Sequence, residues 1–386
     1  MSREIELWQS VARDAVLLQR AAAIDPGDVA QVAALRRSAL AERVRVALAL
    51  VEARQKAAIK FGEFGERIVA DPAGVEQASS RAVGRVKAER VVEALGHSAT
   101  VADLCCGIGG DSLTLDEAGL NVVAVDRDGL RAWMTRQNTR GRARAIAADV
   151  ACLSLGDLPV HIDPARRDES SGRRAWRIED YRPGPEVIGR LIERSRASCV
   201  KLSPGIDLTA LPWPGEVEFV SEHGRLVQAL LWSGAFERSP RTATLVSGGS
   251  VHRLAGVPSD PPIVPAARYL YAFDASVERA ALVGLLSAQV DMGAIHAKLG
   301  LLTSERKINS PWLVGFELIE RMPWRIKRVR QWLAAHDGGL IEVKTRDKAC
   351  DPDRVQRQLR CDGGTSYTVF VLRFDTRVQA LVTRRL

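Results

Sequence analysis

Aromatic residues make up only 5% of this 386-residue chain, with 8 Trp, 4 Tyr and 8 Phe. Rings so sparse argue against a surface that stacks single-stranded bases. No run of about 18 apolar residues occurs, which leaves no candidate for a membrane-spanning helix. The start, Met-Ser-Arg-Glu-Ile-Glu, lacks the basic-then-apolar build of a signal peptide, so the cytoplasm is the expected compartment. The six cysteines (Cys105, Cys106, Cys152, Cys199, Cys350, Cys361) show no C-x-x-C spacing, which argues against a disulfide framework or a zinc knuckle. Six histidines are scattered along the chain, and no metal site is expected.

What is present is an ordinary globular composition, 46% hydrophobic, long enough for two or three domains with their own cores. The charge is unevenly placed. Residues 321–386 hold 15 Lys and Arg against 7 Asp and Glu, a surplus of 8 that equals the net charge of the whole chain. A basic C-terminal module beside a neutral body suits docking of a polyanion at that end.

The most informative stretch runs from Val101 to Asp126. It reads as a buried strand, a glycine turn (Asp103-Leu-Cys105-Cys106-Gly107-Ile-Gly109-Gly110-Asp111), a helix, and a second buried strand ending in Asp126. That is the opening of a nucleotide-binding α/β unit. Glycines at 107 and 109 let backbone approach a ligand, and Asp126, 23 positions after Asp103, stands where a ribose diol is gripped. The third glycine of a dinucleotide fingerprint is missing, since Ser112 occupies its place. An acid at Asp103 repels a pyrophosphate yet suits a ligand bearing an ammonium and a sulfonium. Those are the charges of S-adenosylmethionine.

Asp103-x-Cys-Cys-Gly-x-Gly-Gly resembles motif I of class I S-adenosylmethionine-dependent methyltransferases, in the variant whose first glycine is replaced, here by Cys105. It is similar to the loops of trimethylguanosine synthases and RNA 5-methyluridine methyltransferases. The resemblance implies that Gly107 and Gly109 line the methionine part of the cofactor, Asp126 the ribose hydroxyls, and Asp149 in Ala147-Ala-Asp149-Val the adenine amino group, with Asp103 and Cys105 as further cofactor-binding candidates of the same motif.

In order along the chain, residues 1–95 read as a helical N-terminal domain, with helical spacing from Ala33 to Phe61 and a last helix from Arg81 to Leu95. Pro72-Ala-Gly-Val-Glu76-Gln77-Ala78-Ser79 reads as a turn and resembles a segment just ahead of the catalytic domain in related proteins, where it would act as a cofactor lid. Residues 96–236 alternate strand and helix as a parallel sheet requires, with strands at Val101–Leu104, Val122–Val125, Ala143–Ala147, Val160–Asp163 and Cys199–Leu202. Val217–Ser221 and Leu226–Trp232 follow, joined so briefly that they must be antiparallel. A parallel sheet of seven strands closed by an antiparallel hairpin is the class I methyltransferase layout.

His161-Ile-Asp163-Pro164-Ala165-Arg166-Arg167 puts an acid and a proline at a strand's C-terminal end, where open α/β sheets bind substrate. Asp163 and Pro164 are the candidate catalytic pair, with Asp163 accepting from an attacking N–H. Arg166 replaces the aromatic common in amine methyltransferases and is a candidate to stack on a base or hold a phosphate. Asp-Pro-Ala-Arg is also similar to a motif of pyrimidine carbon methyltransferases, but Leu202 stands where their cysteine nucleophile belongs and Cys199 reads as buried in the strand. Nitrogen, or less favourably oxygen, is therefore the expected acceptor, with Lys201 and Ser203 as candidates to orient it.

Residues 237–386 begin in a Ser-, Gly- and Pro-rich boundary with a hairpin at Thr242–Val246 and Ser250–Leu254. A smaller α/β module follows, with strands near Leu313–Leu318, Leu340–Lys344 and Thr368–Arg373 and helices Ile326–Ala335 and Pro352–Leu359. Met322-Pro-Trp-Arg-Ile-Lys-Arg-Val-Arg, Leu340-Ile-Glu-Val-Lys344-Thr-Arg346 and Asp351-Pro-Asp-Arg resemble the THUMP-like C-terminal domain of an uncharacterised bacterial methyltransferase family. That likeness implies RNA, tRNA or rRNA, as partner, with Lys344 and Arg346 among the phosphate contacts. The expected activity is transfer of a methyl group from S-adenosylmethionine to a base nitrogen of structured RNA. The competing expectations are a protein or small-molecule acceptor, and a catalytically inactive RNA-binding protein on the same fold.

Overall fold

A computed structural model describes residues 2–165, 177–346 and 348–386. The chain divides into two compact units, Met1–Val220 with Val227–Arg238, and Ser221–Leu226 with Ser239–Leu386.

The first unit opens with helices α1 (Arg3–Ala12), α2 (Ala15–Ala22), α3 (Val29–Ser38), α4 (Ala41–Phe61), α5 (Pro72–Gln77) and α6 (Arg81–Leu95). The helical spacing from Ala33 to Phe61 is interrupted at Ala39, whose extended backbone separates α3 from α4. Residues 72–79, expected as a turn, begin with the short helix α5. Its start is fixed by Pro72 at the first position and by the Asp71 carboxylate, which accepts from Gly74 N at 2.6 Å.

The Rossmann-like body follows as β1 (Thr100–Leu104), α7 (Gly110–Glu117), β2 (Asn121–Asp126), α8 (Gly129–Asn138), β3 (Arg144–Ala147), β4 (Val160–Ile162), α9 (Pro185–Arg194), β5 (Ala197–Leu202), β6 (Glu216–Glu222) and β7 (Arg225–Gly234). These strands lie in the order β3-β2-β1-β4-β5-β7-β6. β1 to β5 are parallel and β7 runs antiparallel to β5. The order reverses at β1, so the ends of β1 and β4 open the crevice where such sheets take ligands. The N-terminal helices share a core with this body: Trp8, Leu50, Phe61 and Val75 pack in one cluster with Ile108, Leu113, Trp133 and Met134.

The second unit carries the hairpin β8 (Arg241–Ser247) and β9 (Ser250–Gly256), then β10 (Tyr269–Phe273), α10 (Ala275–Arg279), α11 (Val283–Val290), β11 (Gly293–Ala294), β12 (Leu301–Ser304), β13 (Leu313–Pro323), α12 (Ile326–Ala335), β14 (Gly338–Thr345), α13 (Pro352–Leu359), β15 (Thr365–Phe374) and β16 (Arg377–Arg385). β10 to β16 form a seven-stranded sheet in the order β11-β12-β10-β13-β16-β15-β14, antiparallel except for the β14–β15 pair. β15 is buried on both faces. Val369 and Val371 meet the cluster under α12 and α13, while Phe370 and Leu372 meet Leu270, Leu301 and Phe316 on the other side.

Candidate functional site

The turn after β1 takes the left-handed conformations that its glycines permit. Cys105, Gly107 and Gly109 have φ of 60°, 57° and 82°. A Cβ at Gly107 would meet nothing within 4 Å, whereas one at Gly109 would lie 2.8 Å from the Thr135 side chain. Gly107 thus lines an open cradle, and Gly109 lets α8 approach the turn. α8 fixes the loop through Thr135 Oγ1, which donates to Gly107 O at 2.9 Å, and Asn138 Nδ2, which donates to Ile108 O at 2.8 Å.

Asp126 closes the cradle at the end of β2. One of its oxygens accepts from Gly107 N at 2.8 Å and the other from Asp128 N at 3.0 Å. Burial raises its carboxyl above the ordinary range, against those two hydrogen bonds, which lower it. Ala148 N donates to Asp126 O, so the backbone leads directly to Asp149, which is exposed and caps the next turn through Ala151 N. The Cys105 thiol is pushed well up, first by burial and then by Asp126 and Asp163. It is a neutral group between two acids.

Asp103 is fully buried, and both of its oxygens are engaged within the protein. His161 Nδ1 lies 2.8 Å from one, and Ser112 Oγ donates to the other. His161 is the in-register neighbour of Asp103 across the β1–β4 pair. Its Nε2 lies 3.4 Å from Lys87 Nζ and 3.7 Å from Asp111 Oδ2. Lys87, buried on α6, pairs with Asp111 Oδ1 at 2.5 Å and donates to Ser79 Oγ at 3.0 Å. Burial alone would raise the Asp111 carboxyl, but Lys87, His161 and Lys201 together outweigh it and hold Asp111 well below its usual range.

At the end of β4 the backbone N–H of Asp163 donates to Leu104 O, which sets this acid beside the β1 turn. Lys201, at the end of β5, donates to Asp163 Oδ2 at 2.7 Å. The Lys201 side chain is 3% exposed and that of Asp163 is 23% exposed, so the carboxylate stands at the rim with its ammonium partner beneath. Pro164 is buried, and Ala165 bridges to Arg182 by two backbone hydrogen bonds. Ser203 is buried; its backbone N–H donates to the hydroxyl of fully buried Tyr181 at 2.8 Å. Arg166 lies outside the described residues.

The sequence candidates thus fall into two groups. Asp103, Cys105, Gly107, Gly109, Asp126, Asp149, Asp163, Pro164, Lys201 and Ser203 all lie at or under the C-terminal ends of the parallel strands of the first unit. Lys344 and Arg346 lie in the second unit, where each has an acidic partner: Glu342 for Lys344 at 2.8 Å, and Glu278 for Arg346 at 3.0 Å. Sequence pattern alone does not single out Lys87, Asp111, His161, Ser79 or Tyr181. The one signal for His161 is its place two residues before Asp163, hence on the same face of one strand. Among the described residues no cluster of metal-ligating side chains occurs and no helix is long and apolar enough to cross a membrane.

An open glycine cradle, a carboxylate at the end of β2 and an acid at the end of β4, on a parallel sheet continued by antiparallel strands into nine rather than the expected seven, define a class I S-adenosylmethionine-dependent methyltransferase. Proteins of known sequence and structure agree. Residues 314–385 match the THUMP domain-like family. Over 347 residues the chain is 33% identical to an uncharacterised S-adenosylmethionine-dependent methyltransferase of Mycobacterium tuberculosis, present in two strains, with 86% of this chain and 93% of that protein covered. A crystal structure of a candidate methyltransferase from Porphyromonas gingivalis W83 shares the fold, with a TM-score of 0.73 at 17% identity over 100% of this chain and 98% of that one. The chain belongs to the S-adenosylmethionine-dependent methyltransferase family of these mycobacterial proteins and carries a C-terminal THUMP-like domain.

Proposed function

We propose that this enzyme methylates a base nitrogen of structured RNA, tRNA or rRNA. The observation that carries the choice of acceptor is the pair Asp163–Lys201, in which one carboxylate oxygen is held from below and the carboxylate stands at the rim. Such a group accepts a hydrogen bond from an amine or ring N–H and aligns its lone pair. A pyrimidine carbon acceptor needs a thiolate to activate it, and Cys199 is fully buried with its thiol pushed up by burial.

The glycine cradle and Asp126 fit S-adenosylmethionine, because the cradle is open where a side chain would fill it and a half-buried carboxylate waits beside it for two hydroxyls. Gly107 and Gly109 would border its methionine part, Asp126 would hold the ribose, and Asp149 the adenine amino group. When bound, that cofactor supplies a methyl group on an activated sulfonium. The protein's part is to align the nucleophile with that methyl, which contributes on the order of 7–11 kcal/mol in well-oriented reactions. Asp163 orients the nitrogen and takes the proton that leaves it.

RNA as partner is supported by the THUMP-like match and by the surplus of positive charge in residues 321–386. Within the second unit a group of cations lies on α12, on α13 and at the residue that follows α13. Lys327, Arg328, Arg330, Arg354, Arg357 and Arg360 are exposed and have no ion-pair partner among the described residues. α12 and α13 pack over one core, so these charges share a face suited to a phosphate backbone, with Lys344 and Arg346 joining once released from their acids.

Mass spectrometry of nucleosides from tRNA and rRNA tests the proposal. A deletion strain should lose one N-methylated base nucleoside, and the restored gene should return it. An unchanged nucleoside profile, with methyl transfer instead to protein or a small molecule, would overturn it.

A further inference from the structure

α5 ends without a continuing helix, so the carbonyls at its C-terminal end need partners. Four consecutive carbonyls find them in two lysines. Lys60 Nζ donates to the oxygens of Val75, Glu76 and Ala78 at 2.8, 2.8 and 3.0 Å, and Lys201 Nζ donates to the oxygen of Gln77 at 3.1 Å. The strap from Asp71 to Ser79 is tied at its other end to α8, where Arg131 forms a two-pronged pair with Asp71 at 2.8 and 2.9 Å. It also presses on the glycine turn: a Cβ at Gly74 would stand 2.5 Å from the Ile108 side chain, and one at Gly110 would stand 3.3 Å from the Ala78 Cβ.

Lys201 therefore has two partners of different kinds, the Gln77 carbonyl of the strap and the Asp163 carboxylate. A buried ammonium requires a counter-charge, and its geometry is set by all its acceptors together. Moving the strap moves one acceptor; neutralising Asp163 removes the counter-charge from the other.

We propose that Lys201 is a positioning residue that couples the Asp71–Ser79 strap to Asp163, so that seating the strap on the glycine turn and aiming the acceptor carboxylate are one event. The coupling rests on the methyl-transfer reading for its purpose but not for its existence. It gives the N-terminal helical region a part in catalysis, since Lys60 and the strap both belong to it. A substrate-free cradle with its strap lifted would hold Asp163 in the wrong place, and transfer to water or to a wrong acceptor would be suppressed.

Amide hydrogen exchange of the full-length protein without ligand tests the coupling. In Lys201→Met, exchange at residues 72–79 should rise about tenfold, the expected effect of removing a hydrogen bond to a charged group. Asp163→Asn should raise it several-fold, although Asp163 makes no hydrogen bond to the strap among the described residues, and Lys201→Arg should restore most of the protection. Exchange in β2 serves as the internal reference for global destabilisation. Wild-type exchange of the strap in Asp163→Asn, or equal acceleration of strap and β2, would overturn the coupling. Added S-adenosylhomocysteine should slow strap exchange in the wild type and do so less in Asp163→Asn. A wild type that fails to bind it refutes the cofactor reading, while the ligand-free exchange still decides the coupling.

Discussion

His161 Nδ1 stands 2.8 Å from Asp103 Oδ1, and the two residues are register partners on adjacent parallel strands. The acid expected to face the cofactor is thus wholly internal, and it shapes the site by fixing the ends of β1 and β4 relative to each other. Removing His161 takes one hydrogen bond from a buried carboxyl group, at a cost of about 1.5–3 kcal/mol. His161→Leu should therefore lower the urea-unfolding free energy by that order. A loss below about 1 kcal/mol would show that Asp103 is satisfied without it.

Lys87 and Asp111 give stability a defined pH window. The Asp111 carboxyl lies below its ordinary 3.8 in the folded state, so its contribution is present above that pH and lost as pH falls through the folded value. Despite the opposing effect of burial, Asp111 together with Cys199 and Asp163 raises the Lys87 ammonium above its ordinary 10.5, so that contribution is present below 10.5 and lost as pH rises through the folded value. Unfolding free energy in the wild type should fall at both limits. In Lys87→Met the acid limb attributable to Asp111 should flatten, which denaturant titrations at about pH 2.5 to 6 would reveal, a range set by the acid linkage.

The two motif glycines should fail differently. Gly107→Ala meets open space, so its cost is the left-handed backbone, about 1–2 kcal/mol. It should fold but lose cofactor affinity because the new methyl fills the cradle. Gly109→Ala also meets Thr135 at 2.8 Å, and it should be markedly less stable in thermal melts. Equal stability of the two variants would contradict this assignment.

Arg328→Glu combined with Arg354→Glu reverses two unpaired charges on the α12–α13 face. Affinity for a tRNA transcript should fall at every salt concentration, and the slope of log affinity against log salt should drop by about 0.9 for each duplex phosphate that is no longer neutralised. An unchanged slope would remove this face from the interface.

Much of the fold was legible in the sequence because its signals are local. Helices α6, α12 and α13 have the bounds their spacing and caps imply, and the glycine turn announces the β1–α7 junction. What was not legible depends on register and tertiary partners. Lys87, Asp111 and His161 are far apart in the chain and meet only because β1 pairs with β4 under α6 and α7. The acid beside Lys344 lies two positions earlier on the same strand face, a pattern visible in the sequence, whereas Glu278 is 68 residues from Arg346. The break before α4 has no glycine or proline to mark it, and neither does the Asp375-Thr376 turn between β15 and β16.

Isothermal titration of S-adenosylmethionine into the wild type and Asp126→Ala tests the enzyme assignment most directly. Losing hydrogen bonds to a charged group costs about 1.5–3 kcal/mol, so the variant should bind roughly ten- to a hundredfold more weakly than a wild type that binds one equivalent. No binding to the wild type, or equal affinity in Asp126→Ala, would contradict the cofactor site described for this fold.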